Sequence, residues 1–558
     1  MLRYYKSLSR IIFIFFWSFV VSCSDELPMG ENEEEEFEAW TYKVVPDSIG
    51  KRYGVRWQID NPYDLGERCL DAEGLRARFG VGTIPGKSDF DQVYPWSEIK
   101  RCNVKREAGR TIVVFDDDPS FSIDGSNGDV FVRIPKFYVE KYVKDGYEYR
   151  VVSGKGEKPH PAFIENGKEL DAVYVSAFEG YMGKDSLLRS IANVIPTSNI
   201  TAQQFLDAAQ KRGLQYTLYD MRTVDMLFSL IAVEFGCRNT GSIFGHGIAD
   251  YQQPIEKEWD TEMTYYAQTE KTQTNTIECK LRTVYKMTVG SNICICKGDQ
   301  KNILTFAKLT NIKDNKNSTE YTFDGPPIDI TKDCFIGNCA QSTNWTETCS
   351  APHYSYMGRA NIIERGLSPR ERNPMRYRWI ENIVGNLWHY LPDITFLDRQ
   401  MYVCSNILDY KFASVKNAYQ PYGNEEESNK DGETPDDATE TTGIISAENA
   451  YHPYGNQFET INNDNGTPDD VRGSNYWVTK LIDDSELAGI SFGTAYDKNL
   501  TSNEAFGAYF YLRDGLNIVV NGGGFDHRNR CNLLTTRAWI TPSYKWHLYG
   551  ARLLFKDI

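Results

Sequence analysis

After Asn521 the chain runs Gly522-Gly523-Gly524 and then Phe525-Asp526-His527-Arg528-Asn529-Arg530-Cys531-Asn532, a dense set of hydrogen-bonding groups with neither helical nor strand alternation. An imidazole, two guanidiniums, a carboxylate and amides beside an aromatic ring suit recognition, of a glycan or of a protein surface. Trp539, Tyr544, Trp546 and His547 add aromatic faces shortly afterwards. The candidate ligand-binding residues are therefore Phe525, Asp526, His527, Arg528, Asn529, Arg530, Trp539, Tyr544, Trp546 and His547, with core packing as the competing role for Trp539 and Trp546. Two apolar runs must position them. Asn517-Ile518-Val519-Val520 leads into the three glycines, which mark a sharp turn or a close backbone approach. Tyr549-Gly550-Ala551-Arg552-Leu553-Leu554-Phe555 is strand-like and ties the C-terminus into a sheet.

Glycines, then a polar stretch with Arg537, then Gly550-Ala551-Arg552-Leu553 resemble the closing motif of the formylglycine-generating-enzyme group, a branch of the C-type-lectin fold. Upstream, Glu381-Asn382-Ile383-Val384-Gly385-Asn386-Leu387-Trp388 is similar to that group's Glu-Asn-x-x-Gly-Asn-x-Trp signature, and the two motifs occur in the family's order. The resemblance covers residues 200 to 558. Asp124-Gly125-Ser126-Asn127-Gly128, Ile134-Pro135-Lys136-Phe137-Tyr138 and His160-Pro161-Ala162-Phe163-Ile164 also look like segments of phage and bacterial surface proteins of this fold. It implies an α+β architecture: a β-rich N-terminal region, then a lectin-like domain with two helices and an irregular twisted sheet.

The catalytic members use two cysteines in the segment after the glycines to hold copper. On that motif His527 and Asn532 occupy the two positions, and Cys531 lies one residue out of register. One thiol cannot make a two-thiolate soft-metal site, so the resemblance points away from an enzyme and no catalytic residue is assigned. Non-catalytic relatives, including the variable proteins of diversity-generating retroelements, bind ligands with this surface. Calcium often bridges the sugar in lectins of this broad fold. Here His389 stands where the related enzymes carry an acidic residue, so calcium is possible but has no matched site, and no cofactor is assigned.

The 558 residues are 41% hydrophobic, enough for a substantial core in one elaborated domain or two. With 35 Tyr and 11 Trp the chain is rich in side chains that give contact area at low entropy cost. A formal charge of −16, with no basic cluster to offset it, argues against a nucleic-acid partner.

Residues 1 to 23 carry Arg3, Lys6 and Arg10, an apolar run too short to span a membrane, and Val20-Val21-Ser22-Cys23. The last four resemble a bacterial lipobox, which implies a signal peptide, lipidation at Cys23 and a membrane partner through the lipid. Residues 24–39 form an acidic, solvated tether, which looks like the surface-export signal of Bacteroidetes lipoproteins. The expected location is the outer membrane of a Gram-negative bacterium, at the cell surface.

Residues 40–180 read as β-rich, with runs such as Thr111–Phe115 and Val130–Ile134 between Asp and Gly turns. Asp116-Asp117-Asp118 and Asp124 to Asp129 lack EF-hand spacing, so no metal is assigned. Helices are expected over Gln203–Ala209, capped by Thr197 or Ser198, and over Val224–Phe235, with a loop from Gly236 to Gly247. These helices open the lectin-like domain, taken as 197–558. Cys279, Cys294, Cys296, Cys334, Cys339 and Cys349 read as disulfides or buried thiols rather than a zinc module. Setting Cys23 aside leaves an odd number of the 12 cysteines, so pairing within a monomer is incomplete.

Within 415–472 the octapeptide Asn417-Ala418-Tyr419-Gln420-Pro421-Tyr422-Gly423-Asn424 recurs as Asn449-Ala450-Tyr451-His452-Pro453-Tyr454-Gly455-Asn456, and Thr434-Pro435-Asp436-Asp437 recurs as Thr467-Pro468-Asp469-Asp470. Two copies are too few for a solenoid, so the insert reads as a loop excursion beside the ligand face or as an acidic loop without a role. The whole reads as a surface lipoprotein that binds a glycan or protein in adhesion or recognition. A structural part of a surface or phage-like appendage is the alternative, and an oxidase of the formylglycine-generating type comes last.

Overall fold

The computed structural model describes residues 42–43, 45–78, 80–81, 86–248, 266–281, 289, 292–298, 303–338, 340, 342–344, 346, 354–356, 374–397, 400–412, 451–454, 477–481, 489–497, 506, 516–525 and 531–558. Cys23, the tether, Cys339, Cys349 and all of the duplicated insert but 451–454 lie outside them.

Period-two burial builds the first sheet. Tyr53, Val55 and Trp57 are buried from Arg52–Gln58, which pairs antiparallel with Glu67–Leu70 on one side and Tyr147–Ser153 on the other, with Tyr138–Lys144 at the edge. A six-stranded sheet follows, in the order Tyr216–Leu218, Leu553–Phe555, Ala172–Ser176, Asp129–Pro135, Lys100–Glu107, Arg110–Phe115. Its second strand is the end of the chain: Leu554 sits between Val175 and Thr217. The apolar run read as a C-terminal strand thus binds residues 100–218 into one sheet with residues 553–555. That sheet crosses the boundary expected between residues 180 and 197, and one buried cluster runs from Tyr53 through Phe396 to Leu554.

Three helices occur among the described residues. α1 (Ala202–Gln210) starts at a capping box, in which Thr201 accepts from the Gln204 amide and the Gln204 side chain accepts from the Thr201 amide. α2 (Met221–Phe235) is capped by Asp220 and ends at Gly236 in the left-handed conformation, φ 64°. Every residue of α2 from Met221 to Glu234 is buried, as its near-continuous apolar run demands. α3 (Thr240–Phe244), capped by Asn239, forms where the glycines and polar residues had suggested only a loop. None of these helices is long and apolar enough to cross a membrane.

Beyond α3 two sheets are the largest, with smaller ones beside them such as that of Ile380–Glu381, Met375–Tyr377, Tyr354–Tyr356 and Gly80–Val81. One is five-stranded, in the order Thr276–Lys280, Ser318–Phe323, Ile303–Asp314, Asn292–Lys297, Cys334–Asn338, with its own core of Ile277, Ile295, Leu309, Tyr321 and Ile336. The other is centred on Trp388–Leu397, flanked by Gln400–Cys404 and Leu516–Asn521, with Tyr451–Tyr454 and Thr536–Ile540 outermost and Tyr549–Gly550 paired parallel to Trp388.

The α+β expectation is corrected by this architecture. Strand makes up 43% of the structure and helix 13%, in many small sheets that form no closed barrel among the described residues, so the chain is β-rich rather than a two-helix α+β domain. The physical cause is strand alternation between the cysteines: Thr319, Tyr321 and Phe323 are buried while Ser318, Glu320 and Thr322 are not. Of the nine described cysteines eight are buried and Cys237 is half-buried, and no disulfide joins any two of them.

Candidate functional site

The segment that carries the Glu-Asn-x-x-Gly-Asn-x-Trp pattern is buried throughout and wraps a carboxylate that the sequence did not single out, Glu179. Asn382 Nδ2 and Asn386 Nδ2 donate to Glu179 Oε2 at 3.1 and 2.5 Å, and His389 Nε2 lies 3.3 Å from Oε1. Both asparagines take positive φ, 52° and 60°, a conformation Asn tolerates and which lets two side chains from one short segment converge. Gly385 between them, at φ 77°, leaves room for the backbone of His246 and Ile248: a Cβ there would lie 2.8 Å from His246 O. Burial pushes the His389 pKa down, so the ring is neutral near pH 7 and donates from Nε2.

Arg552, from the closing Gly-Ala-Arg-Leu, completes this centre. Its guanidinium is fully buried and donates to the carbonyls of Ser176 (2.8 Å), Asn382 (3.1 Å) and Glu381. Glu381 accepts from the Asn344 and Thr346 amides at 2.7 and 2.9 Å, and burial raises its pKa to about 7. The two motifs recognised in sequence therefore meet, but what they build is a buried clamp between the two sheets that hold Ser176 and His389, the six-stranded one with Leu553–Phe555 and the one centred on Trp388–Leu397. A side chain at 0–1% exposure, as all of Glu179, Glu381, Asn382, Asn386, His389 and Arg552 are, cannot touch a ligand in this state.

The glycines extend the clamp. Gly522 donates to Thr535 O at 3.0 Å and accepts from Gly385 N at 3.3 Å, and Phe525 N donates to Asn386 O at 3.0 Å. A Cβ on Gly523 would lie 2.4 Å from Cys531 Sγ, so the glycine and the thiol fit against each other. Cys531 is buried, its thiol donates to Gly524 O at 3.3 Å, and its carbonyl accepts from His246 Nδ1 at 2.8 Å. Neither His246 nor Glu179 stood out in the sequence, because each is a single polar residue in a loop with no partner at a fixed spacing. Asn532 is tied to α3 through Thr240 Oγ1, which donates to Asn532 Oδ1 at 2.7 Å.

The candidate ligand residues divide. Phe525 is fully buried, its ring 5.9 Å from that of His547, so it packs inside the fold. Asp526, His527, Arg528, Asn529 and Arg530 lie outside the described residues, as does the side chain of Trp539 on the strand Thr536–Ile540. Tyr544, Trp546 and His547 are half-buried on one turn with exposed Lys545 between them. The Trp546 and His547 rings lie 4.9 Å apart, tilted by 35°, and Tyr544 meets buried Tyr549 edge-on at 5.6 Å. The turn is held by its backbone: Asn199 N donates to Trp546 O, and Tyr390 OH to Tyr544 O. This gives three partly exposed rings and an ammonium beside the chain ends that bracket 526–530.

Two other buried charge clusters brace α2. At its start Asp220 accepts from Thr223 N and Tyr410 OH and lies 3.4 Å from Lys556, which also reaches Glu165 at 3.1 Å. Asp393 accepts from Met221 N at 3.0 Å, and burial together with the Asp220 charge raises its pKa to about 7. One turn on, Asp225 meets Arg150, His160 and Lys141 at 2.8, 2.8 and 3.1 Å. Burial opposes its ionisation, but Arg150 and Lys141 overcome this and hold it well below the usual carboxylate range. Ser491 donates to the same carboxylate, and His160 Nδ1 accepts from Ala162 N at 3.1 Å. With the aspartate between them, serine and histidine are not aligned as nucleophile and base. Among the described residues no three His, Cys, Asp or Glu side chains gather as a metal site.

No protein-family model matches the chain, and no curated protein matches it.

Proposed function

We propose that this chain is a lipid-anchored cell-surface protein that binds a glycan or protein ligand through the aromatic turn Tyr544–His547 and the polar segment 526–530 beside it. The observation that carries the reading is the contrast in exposure around the clamp: Glu179, Asn382, Asn386, His389 and Arg552 are buried and hydrogen-bonded to one another or to backbone, while Tyr544, Lys545, Trp546 and His547 are left partly open on a turn whose backbone is fixed. Rings held on a rigid support lose little entropy on contact and suit sugars and protein hot spots alike. The lipobox at Cys23 and the acidic tether supply the anchor and the reach. No cofactor is needed for this role, and nucleic acid is disfavoured by the charge of −16.

The test is an array of glycans and proteins probed with the chain from Ser24 onward, with and without calcium. Binding lost in Tyr544→Ala/Trp546→Ala, and in His527→Ala/Arg530→Ala, at unchanged melting temperature supports the reading. Binding that survives both pairs removes this face, and silence on every array with intact fold favours a structural component of a surface assembly. Phe525→Ala is uninformative, since it would open a cavity in the core. Metabolic labelling with a fatty acid, lost in Cys23→Ser, tests the anchor.

A further inference from the structure

The repeated octapeptide takes on a structural meaning at the outer edge of the C-terminal sheet. Its second copy contributes Tyr451–Tyr454, which pairs antiparallel with Gln400–Cys404 in the register Met401 with Tyr454, Tyr402 with Pro453, Val403 with His452 and Cys404 with Tyr451. An edge is where a strand containing proline is tolerated, since Pro453 has no amide to give to a ladder. We propose that this edge is a docking site for the octapeptide as such, and that its second occupant is the copy Asn417–Asn424 of the same chain, in exchange with Asn449–Asn456.

Three observations support the assignment. The two copies differ only at Gln420 against His452, so whatever backbone pattern lets one pair lets the other pair too. Strand addition is held mainly by main-chain hydrogen bonds, which are indifferent to that difference. The reach is also available: Phe412 packs in the same buried cluster as Cys404, and residues 413–418, extended, span about 20 Å. The first copy even closes the shorter connection, residues 405–418 rather than 405–450, which loop-closure entropy favours.

Exchange would reassign the acidic stretch that includes Glu425, Glu426, Glu427, Asp436 and Asp437. With the second copy docked it belongs to the connection before the edge strand. With the first copy docked it joins the excursion after it, alongside Asp469 and Asp470. A chain with one copy could present its acidic segment in only one way.

The experiment uses the chain from Ser24 onward with Val403→Cys/His452→Cys and, separately, Val403→Cys/Gln420→Cys, treated with a short bis-maleimide and mapped by mass spectrometry. Each single-cysteine variant sets the background from the native thiols. Cross-links within one chain from both pairs, with the Gln420→Cys yield rising several-fold when residues 449–456 are deleted or when Tyr451→Asp weakens their pairing, are the expected result. A folded Val403→Cys/Gln420→Cys protein that stays at background, with and without Tyr451→Asp, overturns the proposal. A cross-link that joins two chains overturns the assignment to the same chain.

Discussion

The clamp around Glu179 and the turn at Tyr544–His547 adjoin, since Trp388 N donates to Leu548 O and Tyr390 OH to Tyr544 O, yet they obey opposite rules. In the clamp six polar or charged side chains are at 0–1% exposure, drawn from residues 179, 381–389 and 552, and hydrogen bonds run among them and to backbone carbonyls. On the turn the polar and aromatic groups are half-open, and only the backbone is fixed. The comparison teaches that a motif with a rigid spacing marks what must be held together inside, since buried polar groups demand partners at set distances. A surface that meets a ligand leaves no such spacing behind.

The comparison breaks most sharply at Arg552. Replacing it with methionine keeps the volume but strands the carbonyls of Ser176, Glu381 and Asn382 without their donor, beside the carboxylate of Glu179. The expected loss is about 3–5 kcal/mol, enough to unfold a marginally stable chain, read as a large drop in the chemical-denaturation midpoint. If Arg552→Met melted like the parent, the clamp would not be what joins the two sheets.

A somewhat smaller effect separates clamp from turn by pH. Glu381 and Asp393 each have a folded pKa of about 7 set by burial, above the ordinary carboxylate range. The folded state therefore binds a proton more tightly than the unfolded chain, and the stability this contributes is complete at acid pH and lost as pH rises toward 7. For Glu381 the swing amounts to about 3 kcal/mol between pH 4.5 and 7. Asp225, held low by Arg150 and Lys141, runs the other way and loses stability in strong acid. Thermal melts should thus be more favourable at pH 5.5 than at pH 8, and Glu381→Gln should flatten that slope. A Glu381→Gln profile parallel to the parent's would contradict the assignment.

What the sequence made legible follows the same division. The helix at 221–235 stands out as a near-continuous apolar run, the strand at Leu553–Phe555 as the end of one, and the helix at 202–210 by Phe205, Leu206 and Ala209 at helical spacing, although its cap is Thr201 rather than Thr197 or Ser198. Glu179 was invisible because its partners lie two hundred residues away. The sheet of residues 276–338 was hidden by its cysteines, which drew attention to pairing chemistry while Ile277, Ile293 and Ile295 were marking a buried face. Phe525 misled for a related reason: following three glycines it looked like a loop residue, whereas its amide donates to Asn386 and its ring is core. A single aromatic carries no periodicity, so nothing in the chain itself separates the two roles.

The smallest effect on stability is expected where the largest effect on binding is proposed. Tyr544 and Trp546 keep part of their surface in water while the rest packs against the edge of the core, Tyr544 on Tyr549 and Trp546 beside His547. Truncating either to alanine should cost at most about 1–2 kcal/mol, and the turn would keep its Asn199 and Tyr390 hydrogen bonds, because both go to backbone carbonyls that alanine retains. A double-alanine chain that unfolds as completely as Arg552→Met would place the turn in the core with Phe525. One that melts near the parent while losing its ligand would show two adjoining regions with separate duties, one holding the sheets together and one turned outward.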